Sequence, residues 1–495
     1  MAKQSQNFDE FLLQTESANV IPVVETLPAD LLTPLAVYLK ISANAANSFL
    51  FESVEGGENL GRYSFIGANP EMIVSGNDEK IVVRKNSHSK IYQTSLFDYL
   101  REYFSGKKIS DTANLPVFVG GAVGCFDFSC AAWFEKTLKQ SLDETGEARL
   151  MFFRHIVAFD HVKQLIKIIA LVFIDEAESR NELKSLYENA VAENRRIKEI
   201  LENQPLNLTK NNNPNIETAE IQSNWKRADF ENAVVQIKEL ISAGECYQVV
   251  LSQCFTRKTN ADEVSIYRAL RSLNPSPYMF LLQNSGQSIV GASPEMLVKC
   301  IDRKLEYRPI AGTRRRGNSV AEDDLLAEEM RQDEKEVAEH LMLVDLGRND
   351  LGRVAKFGSV EVEDLMKVEK YSHVQHLVSR LRADLRDEFD CFDALAACFP
   401  AGTVSGAPKV RAVQIISELE PTTRGIYSGA IGYIDYSGNL DVCIAIRTLV
   451  LENGTAKIQA GAGIVADSIP ALEFEETVNK AQALLKTIEI AEMTF

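Results

Sequence analysis

The segment GAGIVADSIPALEFEETVNKA, residues 461–481, holds side chains whose types and spacing suit an anion beside a hard cation. Gly461 and Gly463 carry no Cβ, so their N–H groups lie open to an anion, and the run reads as a glycine-rich turn before a helix. Ser468 is placed to cap that helix, and Pro470 suits its first turn. Glu473, Glu476 and Lys480 then share one helix face. A second pair, Glu336 and Glu339, has the same i, i+3 spacing in LLAEEMRQDEKEVAEHLMLVD. Two helices that face each other with such pairs would bind a hard divalent cation, whereas either alone matches a solvated acidic face.

PIAGTRRRG (309–317) sets Ala311, Gly312 and Thr313 before three arginines, either a turn that offers N–H groups to a carboxylate or an exposed basic edge. PAGTVSGAPKVRA (400–412) reads as a strand-to-helix loop with Ser405 as a cap and Pro408 in the first helical turn, which an ordinary capped helix would also explain. Arg447 stands inside the apolar strand pattern CIAIRTLVL, and a guanidinium there requires a partner anion. Tyr427 of GIYSGAIGY, judged alone, fits a packing role equally well, and His376 of KYSHVQHLVSRL, without context, reads better as a satisfied structural histidine.

The elements that position these residues belong to a large chain. Its 495 residues exceed one ordinary core, and 45% hydrophobic with 25% charged residues is a globular composition. A net charge of −17 argues against nucleic acid or an anionic membrane as partner, and it means that a bound anion needs local positive charge or a metal. No apolar run reaches spanning length, and MAKQSQNFDE lacks a signal peptide's basic start and apolar core. Eight scattered cysteines without a CxxC pair fit reduced thiols in the cytoplasm.

From about 20 to 175 short apolar runs alternate with turns, reading as antiparallel hairpins, and a helix follows to residue 201. The Asn-, Pro- and Thr-rich stretch 202–224 reads as a linker between an N-terminal region, 1–201, and a second region, 225–495. There, hairpin strands alternate with helices expected at 228–243, 321–345, 408–418 and 470–491, which favours an α+β class over a doubly wound sheet.

The segments SFLFESVEGGENLGRYSFIG, NPSPYMFLL, ASPEML, PIAGTRRRG, AEHLMLVDLGRNDLGRV, YSHVQHLVS, PAGTVSGAPK and RGIYSGAIGY, with the GAGIVADS run, follow one another along nearly the whole chain. In that order they resemble the chorismate-utilising enzymes. The resemblance implies two orthogonally packed, mainly antiparallel β-sheets flanked by helices in four layers. It implies Mg²⁺ held by Glu339 and Glu476 with Glu336 and Glu473 nearby, the ion in turn holding the ring carboxylate of chorismate. Arg447, Tyr427 and the backbone of Gly461, Ala462 and Gly463 would take the enolpyruvyl carboxylate. Gly312, Thr313 and Thr403 would touch substrate, and Lys480 would be a supporting charge. Glu295 of ASPEML matches the family's general acid, and His376 matches the histidine of pyruvate elimination.

Two positions choose among the reactions of the family. Gln248 stands where relatives that activate water carry a lysine base, and Ala311 where the aminodeoxychorismate synthases carry a nucleophilic lysine. The resemblance therefore implies direct attack by ammonia, giving anthranilate and pyruvate. The rival readings are an aminodeoxychorismate synthase and an inactive tryptophan-binding regulator. Glu52, Ser53, Pro277, Tyr278 and Met279 resemble the family's tryptophan feedback site, although LFES replaces the usual LLES. No glutaminase nucleophile motif is present, so the resemblance implies a separate glutamine amidotransferase subunit as ammonia source, commonly in an α2β2 assembly.

Overall fold

Runs such as YMFLLQ and SIVGAS are apolar at almost every position because both faces of their strands are covered. Met279 and Leu281 face a core shared with helices, while Phe280 and Leu282 face a core between two sheets. The computed structural model describes residues 7–53, 61–86, 88–110, 114–142, 146–177, 179–206, 219–371 and 374–494. Within them the chain forms two sheets of twelve antiparallel strands each, flanked by helices, in agreement with the expected α+β class.

The strands that bear on function are, in chain order, β1 (Asn47–Glu52), β2 (Gly121–Phe126), β3 (Gln248–Lys258), β4 (Tyr278–Asn284), β5 (Gln287–Ser293), β6 (Met296–Ile301), β7 (Ile310–Arg315), β8 (Val374–Asp384), β9 (Ala430–Asp435), β10 (Leu440–Ile444), β11 (Thr448–Glu452) and β12 (Thr455–Ile464). One sheet runs β1-β4-β5-β11-β12-β3 through its middle, with Phe51 opposite Phe280 and Phe280 opposite Gly291. The other contains β6-β10-β9-β2, with Gly432 paired to both Val442 and Gly124. Both regions of the sequence thus contribute strands to both sheets. Most of the expected linker, 207–218, lies outside the described residues, and Gln222–Ser223 at its end pairs with β3.

Two expected elements are each divided. The helix read over 321–345 is two helices, α1 (Val320–Gln332) and α2 (Glu334–Gly352). Asp333 breaks it by turning its carboxylate onto the N–H groups of Lys335 and Glu336, the work of a capping residue. The pattern CIAIRTLVL is no single strand either: it ends β10 in one sheet and begins β11 in the other. Arg447 sits at the crossing with φ of 50°, so it is outside any strand. The last helix, α3 (Pro470–Thr494), lays Leu484, Leu485 and Ile488 on the core behind β4 and β5.

Phe280 ties these layers together, and its ring occupies the space a side chain at Gly291 would need. Phe280→Ala should lower unfolding free energy by about 3–5 kcal/mol, read from the denaturant midpoint at constant slope.

Candidate active site

A cavity of about 230 Å³ lies where β3, β7, β8 and β12 meet the crossing at Arg447. Gly461 of GAGIV lines one wall, which Ala462 and Gly463 do not, and the run is not the expected turn: Gly461, Ala462 and Gly463 lie in β12, opposite Ser252, Leu251 and Val250 of β3. Lys480 Nζ donates to the Gly461 carbonyl at 2.9 Å, which puts the polar edge of Gly461 away from β3. Strand alternation gives Gly463 the same edge and turns Ala462 into the ladder with β3, so two of the three expected N–H groups face outward. Glycine is required here by close approach. A Cβ on Gly461 would lie 2.9 Å from the Tyr427 hydroxyl, and one on Gly463 would lie 2.4 Å from Gln248 Nε2. Ser468 does not cap α3: its hydroxyl accepts from the Val465 N–H. Ser405 likewise donates to the Ala401 carbonyl, and Pro408, without a side-chain cap, precedes the helix Lys409–Leu419.

Arg447 lines the cavity, and no carboxylate among the described residues lies within ion-pair distance of it. Among the described residues its guanidinium makes one hydrogen bond, to the Lys480 carbonyl at 3.4 Å. Burial holds its pKa below the ordinary arginine value, with Tyr427 and Glu476 countering. A guanidinium in this state is a receptor for an anion.

Glu295 follows β5 in the loop to β6, is 6% exposed, and lines the same cavity. Burial raises its carboxyl pKa to about 8, so near neutrality it holds a proton. The Thr403 hydroxyl beside it works in the other direction without meeting the geometry of a full hydrogen bond. His376 on β8 places Nδ1 2.9 Å from the Gly312 carbonyl and 3.1 Å from Thr313 Oγ1. A carbonyl only accepts, so Nδ1 carries the proton and Nε2 keeps its lone pair. Burial lowers the pKa of His376, which favours this neutral form. Gly312 makes that contact from a bulge in β7, at φ of 66°; PIAGTRRRG is therefore mainly strand rather than turn. The arginines after it are not a free edge: Arg314 pairs with Asp333 and Glu336, Arg315 with Glu322 and Arg316 with Asp323.

The four expected metal carboxylates are brought near one another by α2 and α3. Burial raises the Glu339 pKa first, then the charges of Glu336 and Glu476. The Glu473 carboxyl is also raised, by burial foremost and with Glu476 contributing. Glu336 pairs with Arg314 at 2.9 Å and Glu476 with Lys480 at 2.6 Å. Among the described residues no three His, Cys, Asp or Glu side chains form a ready cation cage. Glu339 and Glu473, destabilised first by burial and next by neighbouring carboxylates, are groups that a hard cation such as Mg²⁺ would stabilise.

A second cavity, of about 320 Å³, is lined by all five residues read as an effector site, Glu52, Ser53, Pro277, Tyr278 and Met279. Glu52 is already engaged, accepting from Tyr267 Oη at 2.5 Å and Arg271 Nε at 3.1 Å. The hydroxyls of Ser53 and Tyr433 are buried here and have no hydrogen-bond partner among the described residues. Sequence reasoning missed Lys299 and Asp441 of this cavity, which pair at 3.0 Å. It also missed Arg424, fully buried and paired with Glu420 at 2.7 Å. Arg424 donates to the Val404 and Val250 carbonyls at 2.8 and 2.7 Å, tying Tyr427's turn to two cavity walls. Its place three residues before Tyr427 in RGIY was the available signal.

A family model described as chorismate binding enzyme matches residues 46–486, and the chain belongs to that family. Within it, the chain is 44% identical over 494 residues to anthranilate synthase component 1 of Acetivibrio thermocellus, covering 98% of each chain. Component 1 of Pseudomonas aeruginosa is 42% identical, with 99% of each covered. Anthranilate synthase component I of Streptococcus pneumoniae TIGR4 superposes with a TM-score of 0.72 at 35% identity, covering 93% of this chain and 99% of that one. The menaquinone-specific isochorismate synthase MenF of Escherichia coli, at 20% identity and TM-score 0.68, covering 96% and 97%, shares the fold. The family resemblance read from the ordered motifs is thereby borne out.

Because the folded Glu295 carboxyl binds its proton more tightly than an unfolded one, stability falls as pH rises from about 4.5 to about 8. Glu295→Gln should lose less stability than the parent between about pH 5 and about pH 8 in denaturant titrations, and an equal loss would contradict a raised pKa.

Proposed function

We propose that this chain is the chorismate-binding large subunit of an anthranilate synthase, joining ammonia to chorismate and releasing pyruvate and anthranilate, the first committed step of tryptophan synthesis. The observation that carries the choice of product is the cavity wall at Gln248 and Ala311, which offers neither a lysine base for water nor a lysine nucleophile. The remaining wall lysine, Lys480, is engaged by Glu476 and the Gly461 carbonyl.

In this reading Arg447, the Tyr427 hydroxyl and the outward N–H groups of Gly461 and Gly463 take the enolpyruvyl carboxylate. Mg²⁺ bound by Glu339 and Glu476, with Glu336 and Glu473 acting through water, would supply the positive charge for the ring carboxylate that an acidic protein lacks. Ammonia attacks ring C2, the ring double bonds shift, and the C4 hydroxyl leaves with the proton of Glu295, because hydroxide alone is a poor leaving group. Neutral His376 then accepts the C2 proton as the C3–O bond breaks. The enolpyruvyl group leaves as pyruvate, and the ring becomes aromatic. Gly312, Thr313 and Thr403 flank the ring.

The second cavity is the feedback site for tryptophan. Ammonia comes from glutamine through a separate amidotransferase subunit in an α2β2 assembly. The whole works in the cytoplasm, consistent with the lack, among the described residues, of any helix long and apolar enough to cross a membrane.

Incubation with chorismate, Mg²⁺ and an ammonium salt should yield fluorescent anthranilate with pyruvate in equal amount. A non-aromatic aminated product without pyruvate would identify aminodeoxychorismate chemistry instead. Glu339→Gln and Glu476→Gln should each lower turnover by about 100-fold or more with unchanged circular dichroism, and near-parental rates would refute the metal assignment. Ser53→Phe, which fills the second cavity, should relieve tryptophan inhibition while preserving the uninhibited rate.

A further inference from the structure

The two cavities share a strand. On β5, Ala292 pairs with Met279 and Ser293 with Tyr278, both of which line the second cavity. The same two residues of β5 hold catalytic groups of the first. The Ala292 N–H donates to the Arg447 carbonyl at 3.1 Å. The Ser293 hydroxyl, fully buried, accepts the Glu295 N–H at 3.3 Å and meets the Glu295 carbonyl at 3.4 Å. That carbonyl also accepts the Ile444 N–H at 3.1 Å, and the Cys443 thiol, another lining group of the second cavity, lies against Ser293. The general acid's backbone is therefore bonded to a hydroxyl whose other neighbours, Tyr278 and Cys443, belong to the effector wall.

We propose that Ser293 is a positioning residue for Glu295, and that through it the filling of the second cavity withdraws the general acid from the substrate. The coupling half rests on the feedback reading of that cavity; the positioning half does not. Met279, Tyr278 and Cys443 are packed side chains, so a ligand against them shifts the end of β5 rather than a loose loop. The shift is passed to Glu295 by the serine and to Arg447 by Ala292. Without the hydroxyl, the loop at 294–295 is freed to turn Glu295 toward water, and its carboxyl titrates nearer to the ordinary range. The titratable and charged groups facing that cavity, Tyr307, Glu339, His376, Tyr427, Arg447 and Lys480, stay as they are.

The test is Ser293→Ala, with Ser293→Cys as the conservative variant, both matched to the parent by melting curves. Rates are taken with ammonium salt as ratios to the parent, so that the titration of ammonia cancels. Ser293→Ala should lose about tenfold in kcat with little change in KM for chorismate, and the alkaline limb of its pH profile should move down by about one unit. Ser293→Cys should fall between. By calorimetry, tryptophan should bind both variants as it binds the parent, while inhibition at saturation becomes partial. An unmoved alkaline limb overturns the positioning role, and complete inhibition with unchanged binding overturns the coupling. If Ser293→Ala does not fold, Ser293→Cys is judged by the same limb and the same inhibition. Absence of tryptophan binding to the parent overturns the feedback reading and the coupling with it, and the pH limb then decides the positioning role alone.

Discussion

A half-buried guanidinium at the crossing of two sheets, with no carboxylate at ion-pair distance among the described residues, is the constraint around which the rest is arranged. Arg447 can be kept there only if its backbone is fixed, since a free side chain would swing out to water. The chain fixes it by changing sheets at that residue. β10 ends one ladder at Ile444, β11 begins the other at Thr448, and the arginine is held at a positive φ between two sets of strand pairings. The cavity's polarity has two sources: burial favours a protonated carboxyl at Glu295, and burial together with the Arg447 charge favours a neutral imidazole at His376.

Much of this was legible along the chain. Helix positions, hairpin strands and the candidate residues followed from periodicity and motif order, and eleven of the residues singled out for catalysis, substrate or metal share one cavity with their neighbours across β3, β7, β8 and β12. What was misread shares a physical cause. GAGIV reads as a turn because glycine permits turns, but here it permits a tyrosine hydroxyl and a glutamine amide to lie on a strand. CIAIRTLVL reads as one strand because hydropathy does not record which sheet a residue joins. Asp333 broke a helix by bonding its own backbone, a choice periodicity cannot register. Arg424 and Glu420 were passed over because a buried ion pair at i, i+4 looks like a surface pair until burial is known.

The electrostatic design separates two tasks. Glu339 of α2 lines the cavity on one side, with the carboxylates of α3 near it, a set suited to a cation. The arginine and glycine edges face it from another, suited to an anion. Lys480 joins the two by bonding both Glu476 and the Gly461 carbonyl. A substrate with two carboxylates fits such a divided site better than one with a single charge.

The interleaving of both halves of the sequence in both sheets has a consequence for biosynthesis. β1 and β4 must wait for β5, and β5 for β11 and β12, which are complete only when some 460 of 495 residues have been made. Neither sheet can close earlier, so exposed strand edges persist through most of translation and the nascent chain depends on being shielded from its neighbours. A truncated messenger would yield no smaller working unit, only an open ladder.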